Sequence, residues 1–260
     1  MSDTATTATT GMALVSGEAA GVTGDTEHPV LQDWDGTYPV TVGRMLVTDA
    51  YGPRPVLRGR LHFFAAVAAV PATLVLLAVS SGATARAAVA IYGATLIGLF
   101  AVSASYHRLA RTPTSVKWFR RADHSMIFLL IAGTYTPICL LALPPSWGIT
   151  TLAIVWVTAL VGVGIKMARL GNGSGSSGSW LYIVLGWAGL LTAPLLVTHL
   201  SATQLVLLAV GGVLYTAGAV VLGRRRPDPV PHVFGYHEVW HTMTIAAGGC
   251  HFAAVLLMLG

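Results

Sequence analysis

Residues 236–259 are YHEVWHTMTIAAGGCHFAAVLLML, an apolar run with two histidines and a glutamate in its first turns. A helix that crosses the hydrocarbon core of a bilayer takes about 20 apolar residues, so the run is long enough. His237 and His241 are one helical turn apart on one face, the spacing at which two imidazoles can bind one metal ion. Ionisable residues are rare in membrane-spanning segments that lack a functional site. The stretch therefore predicts a membrane helix and a candidate metal site.

The composition of the whole chain favours a membrane protein. Hydrophobic residues make up 54% of its 260 residues and charged residues only 10%, whereas a soluble domain has about 25% charged residues. Six further apolar runs precede residues 236–259 in the chain, at approximately 61–81, 87–108, 123–143, 149–169, 179–199 and 203–222. We therefore predict an all-α protein, a seven-transmembrane helix bundle formed by residues 61–260.

The remaining segments are polar. Residues 1–43 contain six acidic residues and no Lys or Arg, and lack the basic and apolar regions of a signal peptide. We expect a disordered N-terminal tail there. Residues 44–60 are basic and predict a juxtamembrane segment. Residues 171–178, GNGSGSSG, have the composition of a flexible linker and resemble an engineered one.

The positions of the cations predict the orientation. Of the 15 Lys and Arg residues, all but Arg86 lie before the first run or at or beyond the ends of the second, fourth and sixth runs. The positive-inside rule then places the N-terminus in the cytoplasm and the C-terminus outside. We expect a multi-pass protein of the cell (inner) membrane. Topology explains the net charge of +5, so no nucleic-acid partner is needed.

Polar residues from three separate runs are predicted to meet at one membrane level. His107 ends the second run, Asp123 begins the third beside His124, and His237 and His241 begin the seventh. In the predicted topology these ends all lie on the cytoplasmic side. Three imidazoles and a water molecule form the open tetrahedral arrangement typical of catalytic zinc. We therefore predict a metal site in which His107, His237 and His241 bind Zn²⁺.

Ser103 and Asp123 are the candidate catalytic residues beside that site. Ser103 lies four residues before His107 and shares its helical face, where its hydroxyl could bind a water or a substrate carbonyl. Asp123 could orient the water or accept its proton. Alternatives remain open, because Asp123 follows two arginines and could be an N-cap or part of an interfacial ion pair. Serine in a membrane helix also often bonds to its own backbone.

The HEVWH motif has a second interpretation as the HExxH motif of zinc proteases, in which the glutamate is the general base. Those enzymes take a third ligand from downstream, but no Asp or Glu follows Glu238 in this chain. We therefore expect His107 to be the third ligand and Glu238 to be a flanking, interfacial residue. The other histidines of the runs, His62, His199 and His251, show no convergence and are predicted to be structural or interfacial.

Three segments resemble the hemolysin III family of bacterial membrane proteins, which is similar to the progestin and adiponectin-receptor family of eukaryotes. These are SASYH at 103–107, ADHS at 122–125 leading into LIAGTYTP at 130–137, and GYHEVWH at 235–241. The resemblance extends over about residues 54–260. It implies seven helices, a cytoplasmic N-terminus and zinc held by three histidines, with an aspartate beside the water at the metal.

In this chain the implied residues are His107, His237 and His241 for zinc and Asp123 for the aspartate. One stretch departs from the family pattern. Many members carry a Glu and an Asn just ahead of the histidine of the first run, where this chain has Arg58-Gly59-Arg60-Leu61-His62.

Together these features favour a zinc-dependent intramembrane hydrolase that acts on a lipid amide or ester bond. The resemblance includes ceramidase-like activity, which favours an acyl amide, and a membrane lipid would then be the substrate. The alternative is a non-enzymatic membrane protein that affects permeability or membrane state. In that case zinc would be structural, with Asp123 as a fourth ligand. The sequence leaves the oligomeric state open.

Overall fold

Eight α-helices and one short 3₁₀ segment account for most of residues 55–169 and 180–260, which the computed structural model describes. The elements are α1 (Arg60–Val79), α2 (Gly82–Leu109), α3 (Pro113–Leu141), α4 (Pro145–Arg169), α5 (Trp180–Trp187), the 3₁₀ segment (Ala188–Thr192), α6 (Ala193–His199), α7 (Ala202–Arg224) and α8 (Tyr236–Leu257). Apart from an isolated β-bridge between Val230 and Phe234, no β-structure occurs in these ranges. The predicted tail, most of the juxtamembrane segment and the linker-like loop lie outside them.

Seven helical segments in these ranges are long and apolar enough to cross a membrane, with α5, the 3₁₀ segment and α6 forming one of them. This confirms the predicted all-α fold with seven membrane-length helices. The cytoplasmic location of the N-terminus stays a prediction.

The helix α3 begins ten residues before the start predicted at residue 123. Thr112 and Ser115 form a reciprocal capping box, and Pro113 takes the first helical position. The capping box and a proline at that position are helix-start signals. The prediction was wrong here because the first turns of α3 are basic, and a search for apolar runs detects only the part of a helix that lies in hydrocarbon.

The fifth span is not the continuous helix that the run at 179–199 suggested. It changes to 3₁₀ geometry at residues 188–192, before Pro194, which cannot donate a backbone hydrogen bond. The phenol of Tyr135 in α3 accepts from the Gly189 N–H and lies 3.0 Å from the Gly186 carbonyl oxygen, to which it donates. Backbone groups released by a break inside a membrane must be satisfied by neighbouring helices, and Tyr135 does this.

The helices pack in chain order, and α1 contacts α8 to close the bundle. The helix α3 is central, since it contacts α2, α4, α5 and α8. One hydrophobic cluster joins α1, α2, α3 and α8, and a second joins α3, α4 and α5. Because consecutive spans run in opposite directions, the end of α2 and the starts of α3 and α8 lie at the same end of the bundle.

The outer surface of the bundle is apolar. Phe64 is 66% exposed and Leu191 is 85% exposed, as befits side chains that face lipid. Helix association inside lipid depends on close packing, for which small residues are favoured. Gly162 of α4 is such a contact, because a Cβ atom there would lie 2.5 Å from Cζ of Phe128 in α3.

We predict that Gly162→Ala destabilises the bundle by about 1–3 kcal/mol, the usual cost of overpacking a core. Gly164, two residues along the same helix, is the matched control because a Cβ there meets no neighbouring heavy atom within 4 Å. Gly164→Ala should be neutral or slightly stabilising, since alanine favours the helix. Thermal unfolding of both variants in detergent measures the difference. Equal melting temperatures would contradict the α3–α4 packing described.

Candidate metal centre

The first turns of α8 are fixed by hydrogen bonds to its backbone. The Asp228 carboxylate accepts from the Tyr236 N–H at 2.8 Å, and the Glu238 carboxylate accepts from the Gly235 N–H at 3.0 Å. Carboxylates that accept from free N–H groups at a helix start stabilise that end of the helix. His237 and His241 therefore project from a well-anchored helix end towards α2.

Three imidazoles converge where α2 ends and α8 begins. His107 lies in the last turn of α2, and its Nε2 is 3.2 Å from Nε2 of His237. The ring centroid of His241 lies 5.2 Å from that of His107 and 4.5 Å from that of His237. One ligand atom from each of the three rings lies within 4.8 Å of the other two. The structure thus brings together the three histidines that the sequence proposed as ligands.

The donor set and its burial fit a metal ion. Two nitrogens bonded to one tetrahedral zinc at about 2.0–2.1 Å are about 3.3 Å apart, close to the 3.2 Å between His107 and His237. Both ring nitrogens of His241 are buried and make no hydrogen bond with the part of the chain that the structure describes. Leaving buried polar groups unpaired is costly, and a bound ion would relieve that cost for one of them.

Ser103 and Asp123 lie next to this cluster but outside it. The Ser103 hydroxyl, one turn before His107 on α2, donates to the Asp123 carboxylate. Asp123 also has its Oδ2 3.8 Å from Nδ1 of His124. An N-cap role for Asp123 is wrong, since α3 begins at Pro113 and Asp123 is inside the helix. Its carboxylate is not among the clustered ligand atoms.

His62 lies against the cluster, contrary to the expectation that it stands apart. Its ring is 2% exposed and stacks on His241, with centroids 3.8 Å apart and planes inclined by 14°. Sequence reasoning missed it because it depends on the packing of α1 against α8, which no spacing within one helix reveals. The sequence did contain one indication, because in the predicted topology the first and seventh runs start on the same side of the membrane. That places His62 at the level of His237 and His241.

Glu238 is a buried ion-pair partner and not an interfacial residue. It has no exposed surface, and its carboxylate accepts from Nε of Arg58, which precedes α1. Backbone hydrogen bonds from Val56 to the His232 carbonyl and from Leu57 to the Val233 carbonyl accompany the pair. Arg58 and Glu238 thus fasten the segment before α1 to the start of α8. This contact gives Glu238 a structural role and further weakens the protease interpretation of HEVWH.

His199 and His251, which the sequence predicted to be structural or interfacial, lie apart from the cluster. His199 is exposed at the end of α6, with Nδ1 2.8 Å from the Leu195 carbonyl oxygen of its own helix. His251 has Nε2 3.2 Å from the Leu208 carbonyl oxygen and so links α8 to α7. Neither belongs to the histidine cluster.

Gly59 allows the segment before α1 to pass directly over His107. Its φ of +74° lies in the left-handed region, which glycine adopts without steric cost. A Cβ atom on Gly59 would lie 2.8 Å from Cβ of His107 and 3.0 Å from Cγ of Arg108. Any larger residue would have to displace the histidine.

We predict that Gly59→Ala lowers zinc affinity about tenfold, the low end for changes that reorient a ligand from outside. Gly82 is the matched control, because it has a φ of +80° but no heavy atom within 4 Å of a Cβ. Gly82→Ala carries the same backbone strain and should leave zinc affinity unchanged. Competition with a chromogenic chelator measures both affinities. An equal loss of affinity in the two variants would assign the effect to strain and not to His107.

Residues 51–252 match the family described as Haemolysin-III related. Among known proteins, the chain is 34% identical over 199 residues to Hemolysin-3 of Bacillus cereus, which covers 75% of this chain and 87% of that protein. It is 31% identical over 166 residues to a Hemolysin-3 homolog of Bacillus subtilis (strain 168), which covers 64% of this chain and 74% of that protein. With its seven membrane-length helices and these matches, the chain is a multi-pass membrane protein that belongs to the haemolysin III-related family.

Proposed function

We propose that this protein is a zinc-dependent hydrolase of lipid amide or ester bonds in the cell membrane. The observation that carries the proposal is the convergence of three imidazoles from α2 and α8 beside a hydrogen-bonded serine and aspartate; His107 and His241 are buried and His237 is partly buried. Three protein ligands with an open fourth position are typical of catalytic zinc, whereas structural zinc has four protein ligands.

Each residue has a distinct task in this proposal. His107, His237 and His241 would hold the ion, which when bound supplies Lewis-acid activation of a water molecule and of a carbonyl group. The Asp123 carboxylate would accept the proton released by the attacking water. The Ser103 hydroxyl, by donating to that carboxylate, would orient Asp123 towards the water. The Arg58–Glu238 pair keeps the α8 ligands in place.

A lipid is the substrate class that the surroundings of the centre favour. The centre lies between helices whose outer faces are apolar, so a substrate reaching it from the membrane must itself partition into lipid. An acyl chain bonded through an amide or ester combines that partitioning with a carbonyl carbon for the water to attack. The family resemblance favours the amide.

We predict that Asp123→Asn keeps zinc but lowers lipid hydrolysis about 10²–10⁴-fold, the usual contribution of a general base. His241→Ala should lose zinc and activity together. His199→Ala, which removes an exposed histidine outside the cluster, is the control and should keep both. Zinc content by elemental analysis and release of fatty acid from a ceramide in mixed micelles measure the two effects. Full activity in Asp123→Asn would contradict the assigned role.

The second candidate function is a non-enzymatic effect on membrane permeability. The name Hemolysin-3 carried by the Bacillus cereus relative is what favours it. A structural zinc would then need a fourth protein ligand, for which Asp123 is the natural choice. The Asp123 carboxylate accepts a hydrogen bond from Ser103 and lies outside the cluster of ligand atoms. This arrangement supports a hydrolase with three protein ligands over a structural site with four.

We expect liposomes of ether-linked phosphatidylcholine that contain the wild-type protein to release no more entrapped dye than protein-free liposomes. A hydrolase of acyl amides or esters has no substrate in such a bilayer and leaves it intact. Dye release is followed by fluorescence dequenching. Release that is retained in Asp123→Asn and lost in His241→Ala would support the permeability function with a structural metal.

A further inference from the structure

A fourth imidazole, that of His62, lies against the candidate metal centre without belonging to the ligand cluster. It comes from the first turn of α1, is 2% exposed, and is enclosed by His241 and Phe100, whose ring centroids are 3.8 Å and 5.1 Å from its own. None of the other residues of the proposed site lies in α1. The packing of α1 against α8 therefore adds a polar side chain to one edge of the centre.

The geometry of the stack argues against His62 as a ligand of the same ion. A histidine nitrogen binds a metal in the plane of its ring. Because His62 and His241 are nearly parallel, inclined by 14° at a centroid separation of 3.8 Å, an ion in the plane of His241 lies beside the plane of His62. In agreement, the clustered ligand atoms come from His107, His237 and His241 alone.

The two ring nitrogens of His62 are nevertheless polar atoms, and buried polar atoms require hydrogen-bond partners. Both are buried, and apart from an approach of the ring to the His241 backbone, they have no hydrogen-bond partner among residues 55–169 and 180–260. Stacking alone would be served equally well by phenylalanine, which has no polar atom to bury. An imidazole at this position is therefore suited to a hydrogen bond with a group bound at the centre.

We propose that His62 is a further binding residue of the metal centre. It hydrogen-bonds an oxygen of the molecule bound at the open metal position and does not coordinate the metal itself. The molecule would be the lipid carbonyl compound or an analogue with an oxygen next to the metal-binding atom. This inference rests on the proposed function for the identity of the substrate, but its test depends only on metal and ligand binding.

Two substitutions separate the possible roles of the ring. His62→Phe keeps a flat ring that stacks on His241 and removes both nitrogens, whereas His62→Gln removes the stack and keeps a hydrogen-bonding group. The full-length protein is loaded with Zn²⁺ for stoichiometry and affinity and with Co²⁺ for visible spectroscopy. Acetohydroxamate, a small oxygen ligand of such ions, is titrated into the Co²⁺ protein as the probe.

In His62→Phe we expect one ion per chain, zinc affinity close to wild type and an unchanged Co²⁺ spectrum before the probe is added. Acetohydroxamate should bind about tenfold more weakly, as expected when a hydrogen bond to a charged ligand is lost. His62→Gln should bind acetohydroxamate more weakly than the wild type but by less than tenfold. The comparison of His62→Gln with the wild type keeps the test informative if the phenylalanine variant folds poorly.

Three results would overturn the inference. Unchanged acetohydroxamate affinity in His62→Phe would leave the ring a packing role only. Loss of zinc as complete as in His241→Ala would make His62 a ligand, and a fall from two ions per chain to one would make it part of a second metal site. Failure of the proposed function is distinguishable, because a protein that hydrolyses no lipid can still show the expected metal and acetohydroxamate binding.

Discussion

Water is absent inside a bilayer, so polar groups there must find their hydrogen-bond partners within the protein. The break in the fifth span meets this requirement through the Tyr135 phenol, and the buried Glu238 carboxylate meets it through Arg58. Ser103 and Asp123 satisfy each other. His241 differs, since both of its ring nitrogens are buried and have no hydrogen-bond partner among the residues described, and the buried ring of His62 beside it approaches only the His241 backbone. Of the seven buried side-chain atoms without a partner among the described residues, four are therefore on these two stacked rings, where α1 meets α8.

The ion pair between Arg58 and Glu238 links that place to the rest of the fold. Removing one partner of a buried pair leaves an uncompensated charge and costs about 3–5 kcal/mol. The pair holds the segment before α1 on the first turn of α8, and Gly59 in that segment contacts His107. The same short segment therefore touches both helices that supply the imidazoles. Glu238 has the position of the general base in the HExxH motif of zinc proteases, but here it anchors this segment through Arg58.

Much of the architecture could be predicted because it depends on features that one helix displays alone. Runs of apolar residues predicted seven membrane-length helices, and one-turn spacing placed His237 and His241 on a single face. The alternation of spans then placed His107 at the same end. What could not be predicted depends on how helices rotate and pack. The stack of His62 on His241 and the pairing of Glu238 with Arg58 join distant parts of the chain, and the turns of α3 before residue 123 are too polar for a search based on hydropathy.

His107, His237 and His241 are proposed to hold one metal ion with an open fourth position. Zinc K-edge X-ray absorption on the purified full-length protein tests this proposal directly. We expect zinc in the protein, outer-shell scattering from three imidazoles, and one further oxygen neighbour at about 2.0–2.2 Å. Absence of zinc, or a shell with fewer than three imidazoles, would contradict the proposal.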